Sequence, residues 1–174
     1  LVFPEDEGLQ SDDINLMFGS WVLKVNEVEP GQQTLAVRLP AGTDWYDPRS
    51  GQRHTGGRTV DIPVPMDGRA HYLLKLGAIV PTNPDRARSE TACLQHTEFL
   101  LVPGADSAYT YLEDDGKTLL SLGRFNEYLI ALESGVCTVT RVKGGYTPQT
   151  GGRLFTLRLP DGMWFSQHGE SRLS

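Results

Sequence analysis

The sequence predicts an all-β protein built as two consecutive small antiparallel β-sandwich domains, and three observations carry that prediction. Apolar residues recur at every second position in several short runs, the period of a half-buried strand whose side chains alternate between sheet faces. Gly, Pro and Asp-Gly steps separate most of these runs, and many short strands so spaced favour sandwiches over helix-rich α/β units. Residues 83–96 carry charges and small residues without an apolar period, and they read as a linker between two groups of strands.

In chain order, residues 1–13 are acidic and irregular. Ser11 or Asp12 is placed to cap a short helical turn through Ile14, Leu16 and Met17. Strands are expected at 21–25, 34–39, 59–64 and 72–76, with a turn at Val28-Glu29-Pro30-Gly31, where Pro-Gly suits the middle of a type II turn. The stretch Leu39-Pro40-Ala41-Gly42-Thr43-Asp44-Trp45-Tyr46-Asp47-Pro48-Arg49-Ser50-Gly51 lies between two alternating strands and is punctuated by Pro and Gly. Trp45 and Tyr46 carry its largest apolar area, so one of them is expected to anchor the core under the turn. The run 73–81 closes the first block. Further strands are expected at 99–102, 109–112, 127–132, 136–142, 154–159 and 163–165.

Composition narrows the function classes. The 174 residues are 39% hydrophobic and 22% charged, which is consistent with a packed core and not with wholesale disorder. A net charge of −6 argues against a phosphate-backbone partner, so no nucleic acid is expected. No apolar run approaches the roughly 20 residues that span a bilayer, and no membrane partner is expected. The chain starts at Leu1 without a signal-type segment, and it is expected to be a trimmed piece. Cys93 and Cys137 read as two thiols in a reducing compartment or as one disulfide; the first reading goes with a cytoplasmic location.

Candidate chemistry is sparse. His54, His71, His96 and His168 are scattered, without metal-ligand spacing, and no nucleophile elbow is present. The doublets Gly56-Gly57, Gly144-Gly145 and Gly151-Gly152 fall between strands and read as turns rather than phosphate loops. Glu113-Asp114-Asp115-Gly116-Lys117-Thr118 is the densest acidic cluster. Asp115-Gly116 signals a hairpin turn between 109–112 and 118–120. A loop Ca²⁺ site and a pair of catalytic carboxylates are the alternatives, the latter because glycoside hydrolysis runs on two facing acids. Adjacent strand residues point to opposite faces, so sequential acids do not share one substrate without a bulge. Trp21, Trp45, Trp164, Tyr46, Tyr109 and Tyr111 are available for sugar stacking, with core packing as the competing role. No residue is assigned a catalytic, cofactor-binding or metal-binding role, and no cofactor is expected.

Several of these segments, in order, resemble glycoside hydrolase family 31. Leu39-Pro40-Ala41-Gly42, Trp45-Tyr46-Asp47, Gly51 and Gly56-Gly57 are similar to the family's "LP-x-G-x-WYDFWTG…GG" passage. Phe3-Pro4-Glu5-Asp6 and Leu16-Met17-Phe18-Gly19 resemble "FP-x-D…QFMFG", and Val64-Pro65-Met66-Asp67 stands where "APLD" is usual. Residues 73–81 resemble "VFVRxGxIIP", while 111–118 with Gly123-Arg124-Phe125 resemble "LYEDDGxTxxYxxGxY". Lys24-Val25-Asn26 in place of "VAPV", the additional Asp44 and Pro48-Arg49-Ser50 in place of the aromatic "FWTG" approach mark a divergent member.

The resemblance implies an arrangement: the end of a catalytic barrel at 1–15, a proximal β domain at 16–82, the linker at 83–96, and a distal β-sandwich at 97–174. It implies a parent that is a retaining α-glycosidase, α-glucosidase-like, working in carbohydrate metabolism. The family's catalytic aspartates belong to the (β/α)8 barrel, in a "W-x-D-M-N-E"-like motif that does not occur here. The chain is therefore expected to be the non-catalytic C-terminal region, inactive alone, with the parent's barrel as partner and carbohydrate or a second copy as further partners. A stand-alone carbohydrate-binding or protein-interaction module is the alternative, motivated by Trp45 and Tyr46 as exposed turn aromatics. A complete small enzyme using Glu113, Asp114 and Asp115 is a third reading.

Overall fold

The computed structural model describes residues 3, 5–6, 15–26, 31–63, 67, 69–83, 96–147, 154–160, 164–167 and 171–172, with the backbone alone at 154–155, 164–167 and 171–172. The regular structure is almost entirely β, and the chain divides into two compact units, Leu1–Ala78 and Ile79–Ser174. Most of the expected turn at 28–31, most of the expected linker and Cys93 lie outside the described residues.

The first unit holds β1 (Leu16–Phe18), β2 (Val22–Val25), β3 (Thr34–Arg38), β4 (Asp44–Tyr46), β5 (Arg53–Thr55), β6 (Thr59–Pro63) and β7 (His71–Lys75). They form a five-stranded sheet, β1-β2-β7-β4-β5, and a two-stranded sheet, β3-β6, with every pairing antiparallel. The alternation in the sequence sets the faces: Val37 and Ile62 turn inward from β3 and β6 to meet Leu23, Val25, Trp45 and Leu73 from the larger sheet. Burying each of these apolar side chains is worth about 1.5–3 kcal/mol, so this one cluster is the main favourable term in the unit.

The opening residues are tied to the same core. Phe3 meets Trp45 edge-on, centroids 6.1 Å apart. The Ala41 amide donates to Asp6 Oδ2 at 2.8 Å, and Arg38 donates to Asp6 Oδ1 at 3.3 Å.

Two expectations fail here. The helical turn through Leu16 and Met17 is instead β1, paired with β2 in the register Leu16↔Lys24, Met17↔Leu23, Phe18↔Val22. Spacing over three residues fits either period, and the ladder offered by β2 decides it. Trp45 is not an exposed turn aromatic: it is 0% exposed, in β4, with its indole N–H donated to the Pro40 carbonyl at 3.1 Å. Tyr46, half-buried, lies in the same strand.

The second unit holds β8 (Ile79–Thr82), β9 (His96–Leu101), β10 (Ser107–Glu113), β11 (Asn126–Glu133), β12 (Val136–Lys143), β13 (Leu154–Arg158), β14 (Trp164–Gln167) and β15 (Ser171–Arg172). They form two four-stranded sheets, β10-β11-β12-β15 and β14-β13-β9-β8. Ile79, Phe99, Leu101 and Leu157 from one sheet pack with Ile130, Leu132 and Cys137 from the other. The β11–β12 hairpin closes through Ser134 and Gly135, both at positive φ (50° and 79°), as a type I′ turn requires. One pairing departs from the antiparallel rule, since β13 runs parallel to β9. The run that closes the first block in the sequence is shared between the units, because Ile79–Thr82 pairs with β9.

Candidate functional site

The acidic cluster sits where β10 meets the loop to β11. The tight hairpin expected at Asp115-Gly116 is absent. β10 pairs with β11 out to Glu113↔Asn126, and residues 114–125 form one loop. Asp115 accounts for the difference. Its Oδ1 accepts the amides of Lys117 (2.9 Å) and Thr118 (2.7 Å), taking donors that a strand ladder would need. A 3-10 turn at Leu120–Leu122 then ends on Gly123 at φ 72°.

The three acids have three separate environments. Glu113 is 5% exposed; its Oε2 accepts from Asn126 Nδ2 at 2.9 Å and from the Tyr128 hydroxyl at 3.4 Å. Burial, with the Glu113 charge second, pushes the Tyr128 phenol up. Asp114 Oδ1 accepts the Gly116 amide at 2.8 Å, an Asx-type turn. Asp115 Oδ2 accepts the Thr118 hydroxyl at 2.6 Å. These hydrogen bonds, the Thr118 hydroxyl first and the Thr118 and Lys117 amides after it, hold the Asp115 carboxyl at about 2. A general acid must keep its proton near working pH, so Asp115 is unsuited to that role. Among the described residues no group of three or more His, Cys, Asp or Glu side chains is arranged to hold a metal ion.

Because ionised Asp115 is favoured in the fold, its contribution to stability is present above the ordinary aspartate value of 3.8 and is lost as pH falls through about 2. Carboxyl-detected NMR titration should place its midpoint near 2. Thr118→Val should raise it toward 3.8; an unmoved midpoint would dismiss the Thr118 hydroxyl as the main cause.

Asn126, 1% exposed, was not singled out by sequence reasoning, yet it ties this corner together. Its Oδ1 accepts the amides of Gly145 and Tyr146, each at 3.1 Å, while its Nδ2 holds Glu113. Asn is depleted in strands, and one placed at the start of the run Asn126–Glu133 was the available signal. Gly145 must lack a side chain, because a Cβ there would lie 2.3 Å from the Gly123 carbonyl oxygen.

The remaining candidates among the described residues are held in packing, hydrogen bonds or strand pairing. His71 and Asp47 are both buried, with Nε2 to Oδ1 at 3.4 Å; Asp47 also accepts the Arg49 amide and the Ser50 hydroxyl, each at 2.8 Å. His96 Nε2 lies 2.7 Å from Thr156 Oγ1, and His54 faces Trp45 across the β4–β5 ladder. Tyr109 and Tyr111 pack against the second core, Tyr111 edge-on to Phe99 at 5.5 Å. Burial first, then Tyr111, pushes the Tyr109 phenol up. Trp21 is half-buried with Lys75 Nζ 5.7 Å from its ring centroid. Cys137 is a free, buried thiol pushed up to about 11 by burial, far from nucleophile territory. His168, the Trp164 side chain and Gly151-Gly152 lie outside the described residues.

Comparison with known proteins decides the family. Residues 1–80 match the family model "Glycosyl hydrolase family 31 C-terminal domain". Over residues 1–80 the chain belongs to glycoside hydrolase family 31. A probable glucan 1,3-α-glucosidase of Arabidopsis thaliana is 30% identical over 146 residues, covering 80% of this chain and 16% of that protein. An α-xylosidase of Saccharolobus solfataricus is 26% identical over 116 residues, covering 67% of this chain and 16% of that protein. Among solved structures, the family 31 α-xylosidase of Xanthomonas citri superposes with a TM-score of 0.82 at 23% identity, over 98% of this chain and 20% of that one. At that identity the likeness speaks for the fold alone, and it extends the shared fold through the second unit. This family 31 chain thus spans about a sixth of the length of these two curated relatives.

Proposed function

We propose that this chain is the non-catalytic C-terminal β-sandwich region of a longer retaining α-glycosidase, α-glucosidase-like, and that it stabilises the catalytic barrel of the same polypeptide. The observation that carries the reading is the family match to a C-terminal domain in a chain that spans so small a share of its relatives. The site geometry favours it as well. Glu113, Asp114 and Asp115 are each hydrogen-bonded within their own corner or loop, so they do not converge as the two facing carboxylates of glycoside hydrolysis do. The parent would divide the reaction between a carboxylate nucleophile and a second carboxyl that serves as acid and then base, both outside this sequence. A cytoplasmic location belongs to the same proposal, favoured by the free thiol of Cys137.

The purified 174-residue chain is expected to show no turnover of aryl α-glucosides or aryl α-xylosides above a buffer blank. Hydrolysis that co-purifies with the chain and falls on changing Glu113, Asp114 or Asp115 to its amide would overturn the proposal. The mass of the native gene product, with peptides mapped upstream of Leu1, tests it from the other side.

A further inference from the structure

The five-stranded sheet of the first unit has two apolar faces, and only one belongs to the core already described. Trp45, Leu73, Leu23 and Met17 point into that core. Their neighbours, one residue along each strand, point the other way. The register makes those neighbours a continuous row: Phe18 pairs with Val22, Val22 with Leu74, and Leu74 with Tyr46. A strand buried on one face alternates apolar with polar; Leu73-Leu74 and Val22-Leu23 do not alternate, which is the pattern of a sheet covered on both faces. Along the row, Leu74 is 1% exposed, whereas Phe18 at the β1 edge is 73% exposed, as is Leu16 (55%) in the adjoining row. The second face is therefore buried at its middle and bare at β1.

We infer that the bare end of this face, Leu16 and Phe18 on β1 with Val22 beside them, is the docking surface for the catalytic part of the longer polypeptide. The inference rests on the proposed function and names the place of contact. Three observations select that occupant. The chain covers 16% of the length of two curated relatives, so a parent of their size would supply a layer large enough to complete the face. The surface continues an apolar row that is already buried at Leu74 rather than standing as an isolated patch. Phe3 and Asp6 are fixed to the same unit, Phe3 on the core side of the sheet, so in the proposed parent the polypeptide before them is held at this unit rather than on a free tether.

The test is carried out in the full-length polypeptide encoded by the source gene, with Phe18→Ser, the conservative Phe18→Leu, and Leu120→Ser on the exposed loop of the second unit as a control. Phe18→Ser is expected to lower the thermal midpoint of the full-length protein by several degrees, Phe18→Leu to retain most of it, and Leu120→Ser to leave it in place. In the 174-residue chain Phe18→Ser should cost nothing, because the ring is already in water there. Hydrogen exchange should show the amides of residues 16–18 protected in the full-length protein and faster in the isolated chain. Equal midpoints and unprotected amides in the full-length protein would overturn the docking surface while leaving the family 31 parent standing. A dimer that becomes monomeric on Phe18→Ser would reassign the face to a second copy. A native product of only 174 residues would remove the parent and the inference together.

Discussion

Trp45→Ala is expected to unfold the first unit under conditions where the second remains folded. Trp45 is the largest fully buried side chain in the molecule's described core, and it joins the opening segment through Phe3, the Pro40 turn through its indole N–H, and the sheet through β4. Truncating a buried Trp costs about 3–5 kcal/mol, a large share of what a domain of this size possesses. The indole hydrogen bond is separable from the volume. Trp45→Phe keeps an aromatic ring but leaves the Pro40 carbonyl without that donor, a loss of about 1–3 kcal/mol. Urea titration followed by far-UV circular dichroism should resolve two transitions in Trp45→Ala, with the early one absent from the unaltered chain. A shift below about 1 kcal/mol would mean that the core closes over the hole, and that Trp45 is not its anchor.

That role was half legible in the sequence. Period-two alternation located β3 and β6 to within a residue, because Val37 and Ile62 bury one face while the intervening residues face out. The sequence also marked Trp45-Tyr46 as the anchor of the turn. It did not reveal β4 and β5: three-residue strands are too short to display a period, and their pairing depends on β7, which lies far along the chain. β1 was hidden for the same reason. In the second unit the runs that became β11 and β12 stood out, since their hairpin is local and closed by Ser134-Gly135. The parallel pairing of β13 with β9 was invisible, because nothing local in either strand records a partner some sixty residues away. The acidic cluster was read by composition, as a turn with catalytic and metal alternatives. Its division into a buried Glu113 and two loop-holding aspartates depends on Asn126, which tertiary contacts alone bring beside it. The family resemblance succeeded where periodicity did not, since five ordered motifs survive even where the strands between them are short.

Gly56→Ala is the second substitution expected to act strongly, and it tests the same turn from its backbone side. A Cβ at Gly56 would stand 2.1 Å from the Thr43 carbonyl oxygen and 2.3 Å from the Pro40 carbonyl oxygen. Both are backbone atoms, so no flexible side chain is available to yield. The Pro40 oxygen is also the acceptor for Trp45, and the adjoining Gly57 amide donates to Leu39 at 2.9 Å. Relieving the clash therefore pulls apart the bonds that hold the turn over the core. Overpacking of this kind costs about 1–3 kcal/mol and occasionally more, and the upper end is expected here. Gly51→Ala is the proper comparison: Gly51 sits at φ 72° with nothing within 4 Å of an added Cβ, so it isolates backbone strain from collision. That strain alone is worth about 1–2 kcal/mol. Urea midpoints should rank Gly56→Ala well below Gly51→Ala. The double variant Gly56→Ala with Trp45→Phe should be less unstable than the sum of the two, because both act through one carbonyl oxygen. Additive losses would separate the turn from the indole, and Gly56→Ala no worse than Gly51→Ala would show that the turn moves freely away from the added methyl.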